Sequence, residues 1–214
     1  MAVRAGEVLG VFGRNGVGKT TLLKTIAGWI RASRGEIRFD GMRIDGAAPD
    51  RICRLGVGFV PEDRRIFPGL TVEENLTLGF MQVPRRGGAA NRAALADIYR
   101  RFPACTSAGA STAPRCRAAS SRCSRSRACW SASRACSWST SRAKGLAPMM
   151  VSEIYAILSE LKRAGRAILL VEQNVAQALT LCDRFVAMER GRLTLAGDAR
   201  DAADGERLMA AITV

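Results

Sequence analysis

Eight consecutive residues, Gly13-Arg14-Asn15-Gly16-Val17-Gly18-Lys19-Thr20, follow the spacing Gly-x-x-x-x-Gly-Lys-Thr, the pattern of a phosphate-binding loop. The chemistry explains the residue types. Glycines let the backbone wrap so that successive N–H groups converge on phosphate oxygens, and the start of the helix that follows adds partial positive charge where the anion sits. Lys19 is expected to reach the β- and γ-phosphates, and the Thr20 hydroxyl to ligate Mg²⁺. The bland alternative is a Gly-rich strand–helix turn with no ligand. The chain has no His, so general-base, metal or switch chemistry built on imidazole is excluded.

The elements that must hold this loop are readable on either side of it. Val8–Phe12 is a short apolar run that predicts a buried strand, and Thr20–Ala27 turns helical, with Leu22, Leu23 and Ile26 on one face and Gly28 as its stop. Glu36–Phe39, Asp40-Gly41 and Met42–Ile44 read as a hairpin with a type I′ turn. Val57–Val60 predicts another strand, and Thr71-Val72-Glu73-Glu74 a capping box opening a helix through Phe80. Met149–Arg163 carries Val151, Ile154, Ile157, Leu158 and Leu161 at helical spacing, which predicts core contacts. Ala167–Val171 predicts a buried strand, Asn174–Cys182 a helix, and Arg184–Glu189 with Arg192–Leu195 a hairpin around Arg190-Gly191. Strands alternating with helices imply a mainly parallel sheet in an α/β fold. Cys53 and Cys182 are expected as buried thiols, and Arg64-Arg65 as a solvated turn.

The 214 residues suit a single domain with a sizeable core. No apolar stretch approaches the roughly 18 residues of a spanning helix. Met1–Gly10 has no signal-peptide core, which gives the cytosol, with reduced thiols, as the expected compartment. The net charge of +14 comes from 33 Lys plus Arg against 19 Asp plus Glu. Half of it sits in residues 103–143, which hold seven Arg, five of the seven Cys and eleven Ser, with no acid and no Val, Ile, Leu, Met or Phe. Without that segment the chain has 26 basic and 19 acidic residues, or +7. A metal site at Cys105, Cys116, Cys123, Cys129 and Cys136 is disfavoured because no Cys-x-x-Cys pair exists. Ser121–Arg127 has the look of an Arg/Ser tract that binds nucleic-acid phosphates.

Longer stretches resemble a known family. Gly13–Leu23 resembles the Walker A loop of ABC transporter ATPases. Val60–Leu76, reading Val-Pro-Glu-Asp-Arg-Arg-Ile-Phe-Pro-Gly-Leu-Thr-Val-Glu-Glu-Asn-Leu, resembles the Q-loop region of the ATP-binding subunits of branched-chain amino acid importers. Gly145–Pro148 and Leu170-Val171-Glu172-Gln173-Asn174 are similar to the same subfamily's D-loop and switch region. The resemblance covers about 1–102 and 144–200. It implies a P-loop α/β core, a small antiparallel subdomain towards the N-terminus and a helical subdomain around 72–135, all within one nucleotide-binding domain spanning 1–214. It also implies that ATP and Mg²⁺ are bound by Gly13, Arg14, Asn15, Gly16, Val17, Gly18, Lys19, Thr20 and Thr21. Glu62 would stand at the Q-loop position, and Gln173 would contact the γ-phosphate where most relatives have His.

The sequence departs from the family in two places. The family carries about two dozen residues before Val8, including an aromatic that stacks on adenine, so the N-terminus is expected to be truncated. The signature Leu-Ser-Gly-Gly, the Walker B aspartate and the catalytic glutamate are also missing where 103–143 should supply them. A shifted reading frame accounts for the second departure. With Arg115–Ser124 encoded as CGC TGT CGG GCG GCG AGC AGC AGA TGC TCG, reading from the third base yields Leu-Ser-Gly-Gly-Glu-Gln-Gln-Met-Leu. Cys136–Arg142 treated alike yields Leu-Leu-Val-Asp-Glu-Pro. A one-base deletion near Pro103 and a one-base insertion near Arg142–Ala143 would produce this while preserving length. The Walker B aspartate then falls at Thr140, the catalytic glutamate at Ser141, the signature at Cys116–Ala119, and Cys136–Ser139 occupies the family's central apolar strand.

The expected function is therefore the ATP-binding subunit of an ABC importer for branched-chain or related amino acids. It would lie on the cytoplasmic face of the bacterial inner membrane, paired with a second ATPase subunit and seated on permease subunits fed by a periplasmic binding protein. The chain as written is expected to be hydrolysis-defective and not to bind nucleic acid. Two alternatives from other classes stand beside it, a non-catalytic nucleotide-binding or scaffold protein and a basic nucleic-acid-binding protein.

Overall fold

Val8–Phe12 forms β1 and is buried at every position, as a strand must be when helices cover both faces of its sheet. The computed structural model describes residues 1–60, 67, 69–81, 88–101, 135–139 and 148–213. In these, β1 is followed by α1 (Lys19–Ile26), β2 (Arg38–Phe39), β3 (Met42–Arg43), α2 (Pro49–Leu55), β4 (Val57–Val60), α3 (Val72–Met81) and α4 (Gly88–Arg101). Then come β5 (Ala135–Ser139), α5 (Pro148–Arg163), β6 (Ala167–Val171), α6 (Val175–Leu179), β7 (Arg184–Glu189), β8 (Arg192–Asp198) and α7 (Ala202–Thr213). Six strands join in the order β4-β5-β6-β1-β7-β8. All neighbours are parallel except β7 and β8, which close the edge as an antiparallel pair.

Alternation along the strands divides the core. Val8 and Phe12 of β1, with Ile168 and Leu170 of β6, point into one cluster with α3, α5 and α6. Leu9 and Val11, with Leu169 and Val171, point the other way, onto Leu23 of α1. Ile154, Ile157 and Leu158 lie buried in the first cluster, as the helical spacing of α5 predicts. A separate small cluster of Ile44, Ile52 and Val57 seats the β2–β3 hairpin on α2. Asp40 and Gly41 turn that hairpin with φ 48° and 76°, both positive as a type I′ turn requires.

Predicted and observed element ends differ by a few residues. The main extension is β8, which runs on to Asp198 because Gly197 and Asp198 pair with Phe185 and Arg184, residues of low strand propensity carried by their register. Helices α2, α4 and α7 appear where no periodicity announced them. Eight of the fourteen residues of α4 are Ala or Arg, with Ile98 buried, so its buried stripe is too thin to stand out. Cys182 is buried and its thiol pushed up to about 12, mainly by burial. Cys53, expected to be buried, is instead partly exposed on α2, whose buried residue is Ile52. Arg64-Arg65 lies outside the described residues.

The capping box is formed as predicted. The Thr71 N–H and Oγ1 both donate to Glu74 Oε2, at 2.8 and 2.9 Å, and the Glu74 N–H donates to Thr71 Oγ1 at 3.2 Å. Thr71→Ala is expected to destabilise the protein by about 1 kcal/mol through loss of this cap. A urea titration checks it, and Thr71→Ser should keep most of the stability.

Candidate phosphate-binding site

At the C-terminal end of β1 the chain turns immediately into the loop 13–18. Gly13, Gly16 and Gly18 all have positive φ, at 148°, 81° and 107°. At Gly13 space is decisive as well, because a Cβ there would lie 2.3 Å from the Met188 carbonyl oxygen of β7. Around Gly16 a Cβ would meet nothing within 4 Å, so glycine serves the backbone conformation there and the loop is open on that side. Gly18 is the N-cap of α1 and makes no side-chain cap.

Lys19 begins α1 and is 6% exposed. Its ammonium bends back across the loop and donates to the carbonyls of Gly13 and Arg14, at 2.7 Å each. A buried ammonium needs such partners, and these also aim its charge into the loop. The loop rests on the β7–β8 turn, where the Gly191 N–H donates to the Val17 carbonyl at 2.9 Å. Gly191 is a support that the sequence did not reveal. Its signal was a turn glycine, and nothing in the spacing linked that turn to a loop so far away in the chain.

The second wall comes from β6, the parallel neighbour of β1, whose C-terminal end opens beside the loop, as ligand sites do in such sheets. Gln173 Nε2 donates to Asn15 Oδ1 at 2.7 Å, uniting two residues 158 positions apart. Glu172 is 3% exposed, and its Oε1 accepts from the backbone N–H groups of Gln173 and Asn174, at 2.7 and 3.1 Å. Burial pushes the Glu172 carboxyl above its usual range, while the two N–H groups pull the other way. Asn174 then caps α6, its Oδ1 accepting from the Gln177 N–H at 3.2 Å.

Hydrogen bonds thus bring Gly13, Arg14, Asn15, Lys19 and Gln173 together, with Gly16, Val17 and Gly18 completing the loop. Thr20 and Thr21 follow in the first turn of α1, Thr20 partly buried and Thr21 exposed. Glu62, Thr140 and Ser141 lie outside the described residues. The strand preceding Thr140 is described. β5 lies between β4 and β6, with Ser139 opposite Val171, so Cys136–Ser139 forms an interior strand of the sheet, next to its β4 edge. A glycine loop open at Gly16, with a buried ammonium folded into it, fits a phosphate chain. For Mg²⁺ the expected ligand among the described residues is Thr20, and no group of three or more His, Cys, Asp or Glu suited to a metal occurs among them.

Comparison with known proteins agrees with this geometry. A family model described as "ABC transporter" matches residues 1–178. The high-affinity branched-chain amino acid transport ATP-binding protein BraG of Pseudomonas aeruginosa is 33% identical over 193 residues, covering 90% of this chain and 82% of its own. The ribose import ATP-binding protein RbsA 2 of Rubrobacter xylanophilus is 30% identical over 221 residues, covering 100% of this chain and 42% of its own. A solved structure described as the ATP binding subunit of an ABC transporter superposes with a TM-score of 0.84 at 25% identity, covering 100% of this chain and 86% of that one.

Proposed function

The chain belongs to the ABC transporter family of ATP-binding proteins, and from that membership we propose that it is an importer's ATPase subunit that binds ATP at Gly13–Thr21 and serves branched-chain or related amino acids. The observation that carries the site is the glycine loop with Lys19 Nζ bonded at 2.7 Å to both Gly13 and Arg14. A phosphate entering the loop would meet the start of α1 and a buried ammonium already folded into the loop, so little reorganisation remains to be done on binding. Gln173, held at Asn15 at 2.7 Å, is the proposed contact for the γ-phosphate. Thr20 would hold Mg²⁺, which in phosphoryl transfer neutralises charge developing between the β- and γ-phosphates. Glu62 is the proposed Q-loop member.

The amino acid preference is supported by the likeness to BraG and by the Val60–Leu76 and Leu170–Asn174 stretches, although the likeness to RbsA 2 points to ribose. We place the chain, as one nucleotide-binding domain, on the cytoplasmic face of the inner membrane. It would work there with a second ATPase subunit, identical or not, with permease subunits and, through them, with a periplasmic binding protein. No described helix is long and apolar enough to cross a membrane. In the chain as written, hydrolysis is proposed to be defective, because Thr140 and Ser141 carry no charge and Arg117 stands within the signature position.

Salt separates this reading from nucleic-acid binding. ATP affinity, measured by calorimetry at about 50 and about 200 mM salt, is expected to change by less than about tenfold. Binding to duplex DNA that weakens about a thousandfold over that range would mean a multi-phosphate electrostatic contact, and with no ATP binding it would overturn the proposal.

A further inference from the structure

Four polar or charged residues are buried among the described part of the chain: Glu7, Lys19, Asn75 and Glu172. Three of them are explained by what they touch. Glu7 accepts from Arg184 at 3.0 Å, Lys19 closes the loop, and Asn75 exchanges hydrogen bonds with the Phe67 backbone in both directions. Glu172 differs. Among the described residues it makes no ion pair, and its partners are the N–H groups of Gln173 and Asn174, both on one oxygen. The Tyr155 hydroxyl, buried on α5 without a hydrogen bond among the described residues, is pushed up by burial first and by the Glu172 charge second. It therefore stays a neutral phenol and offers no countercharge. Burying a carboxylate against two amides is costly, and a hydrophobic residue would fill the same volume at lower cost.

What the carboxylate does gain is control of a turn. Val171 and Val175, on either side, are anchored in the core. Between them, the Glu172 side chain fixes the backbone of Gln173 and Asn174, and Gln173 in turn reaches Asn15 at 2.7 Å. We propose that Glu172 is a positioning residue: by holding the 173–174 backbone it keeps the Gln173 amide over the phosphate-binding loop, and so sets the preference for ATP over ADP. This rests on the reading of Gln173 as a γ-phosphate contact. Because Oε1 alone accepts both bonds, a neutral amide oxygen at that point should do as well as a carboxylate.

Affinities of the full-length chain for ATP and for ADP, each by calorimetry, give the ratio that tests the proposal. Gln173→Ala is expected to lower the ATP-over-ADP ratio about tenfold, the effect of one lost hydrogen bond to a charged group. Glu172→Leu should lower the ratio by a similar factor, leave ADP affinity unchanged and not reduce the melting temperature. Glu172→Gln should keep the parent ratio, and Glu172→Leu combined with Gln173→Ala should do no further damage. Glu172→Met, closer in volume, is measured in parallel so that the ratio is read from whichever variant melts with the parent. A parent-like ratio in these apolar variants while Gln173→Ala loses it would make Glu172 structural only and overturn the proposal. Equal losses for ATP and ADP would also overturn it. An unchanged ratio in Gln173→Ala would reject the reading of Gln173, and this proposal with it, while Lys19 and the loop still account for binding of both nucleotides.

Discussion

Lys19→Ala is expected to lower ATP affinity by about a hundredfold or more. Two effects act in the same direction. The substitution removes the ammonium that would neutralise the β- and γ-phosphates, and hydrogen bonds to charged groups contribute about 1.5–3 kcal/mol each, so losing two exceeds the ~2.7 kcal/mol that a hundredfold represents. It also frees the carbonyls of Gly13 and Arg14, which Lys19 Nζ now holds at 2.7 Å, and their negative ends would then face the incoming phosphates. Lys19→Arg should not restore full affinity, because a planar guanidinium cannot bend into the space that the compact ammonium occupies. Lys24, in the last turn of the same helix, is the control, and its replacement by Ala should leave affinity unchanged. Calorimetry giving parent affinity for Lys19→Ala would remove the phosphate from this loop.

How far the fold could be read beforehand depended on how much each element's own residues say. β1, β4 and β6 are apolar runs with strand-forming side chains, and each was legible alone. So was α1, because the glycine loop fixes where it begins, and the capping box of α3 is written in Thr71 and Glu74. β5 is the opposite case. Ala-Cys-Ser-Trp-Ser contains no Val, Ile or Leu, and its strand was legible only through family resemblance. The structure nevertheless gives it pairings on both sides, to β4 and β6. At the site, the loop and Gln173 were legible from motif and resemblance. Glu172 and Gly191 were not. Gly191 acts through a long-range hydrogen bond to Val17. The local bonds of Glu172 to the 173–174 backbone gain their meaning from its burial and from the long-range reach of Gln173 to Asn15, which no local pattern encodes.

Replacing 103–143 with the sequence that the proposed alternative reading frame encodes is expected to raise ATP turnover at least about a thousandfold, while the chain as written stays at background. A positioned general base alone contributes about 10²–10⁴ in rate, and phosphoryl transfer further depends on metal placement and charge neutralisation. The restored sequence would put an aspartate at Thr140 and a glutamate at Ser141, directly after the strand that ends opposite Val171, with Leu, Ser and two glycines replacing Cys116–Ala119 at the signature. It would also fill β5 with Leu and Val. Burying one large aliphatic side chain contributes about 1.5–3 kcal/mol, against about 5–15 kcal/mol for a whole domain, so the restored chain should melt at a clearly higher temperature. Neither Glu172 nor Gln173 beside the loop can substitute. Glu172 has its accepting oxygen bonded to two backbone N–H groups and is 3% exposed, and Gln173 has no basic atom at neutral pH. Phosphate release and thermal melts on both chains decide the matter. Comparable turnover from the unaltered chain, abolished by Lys19→Ala, would mean that a carboxylate elsewhere serves as the base and that the shifted frame is not what limits catalysis.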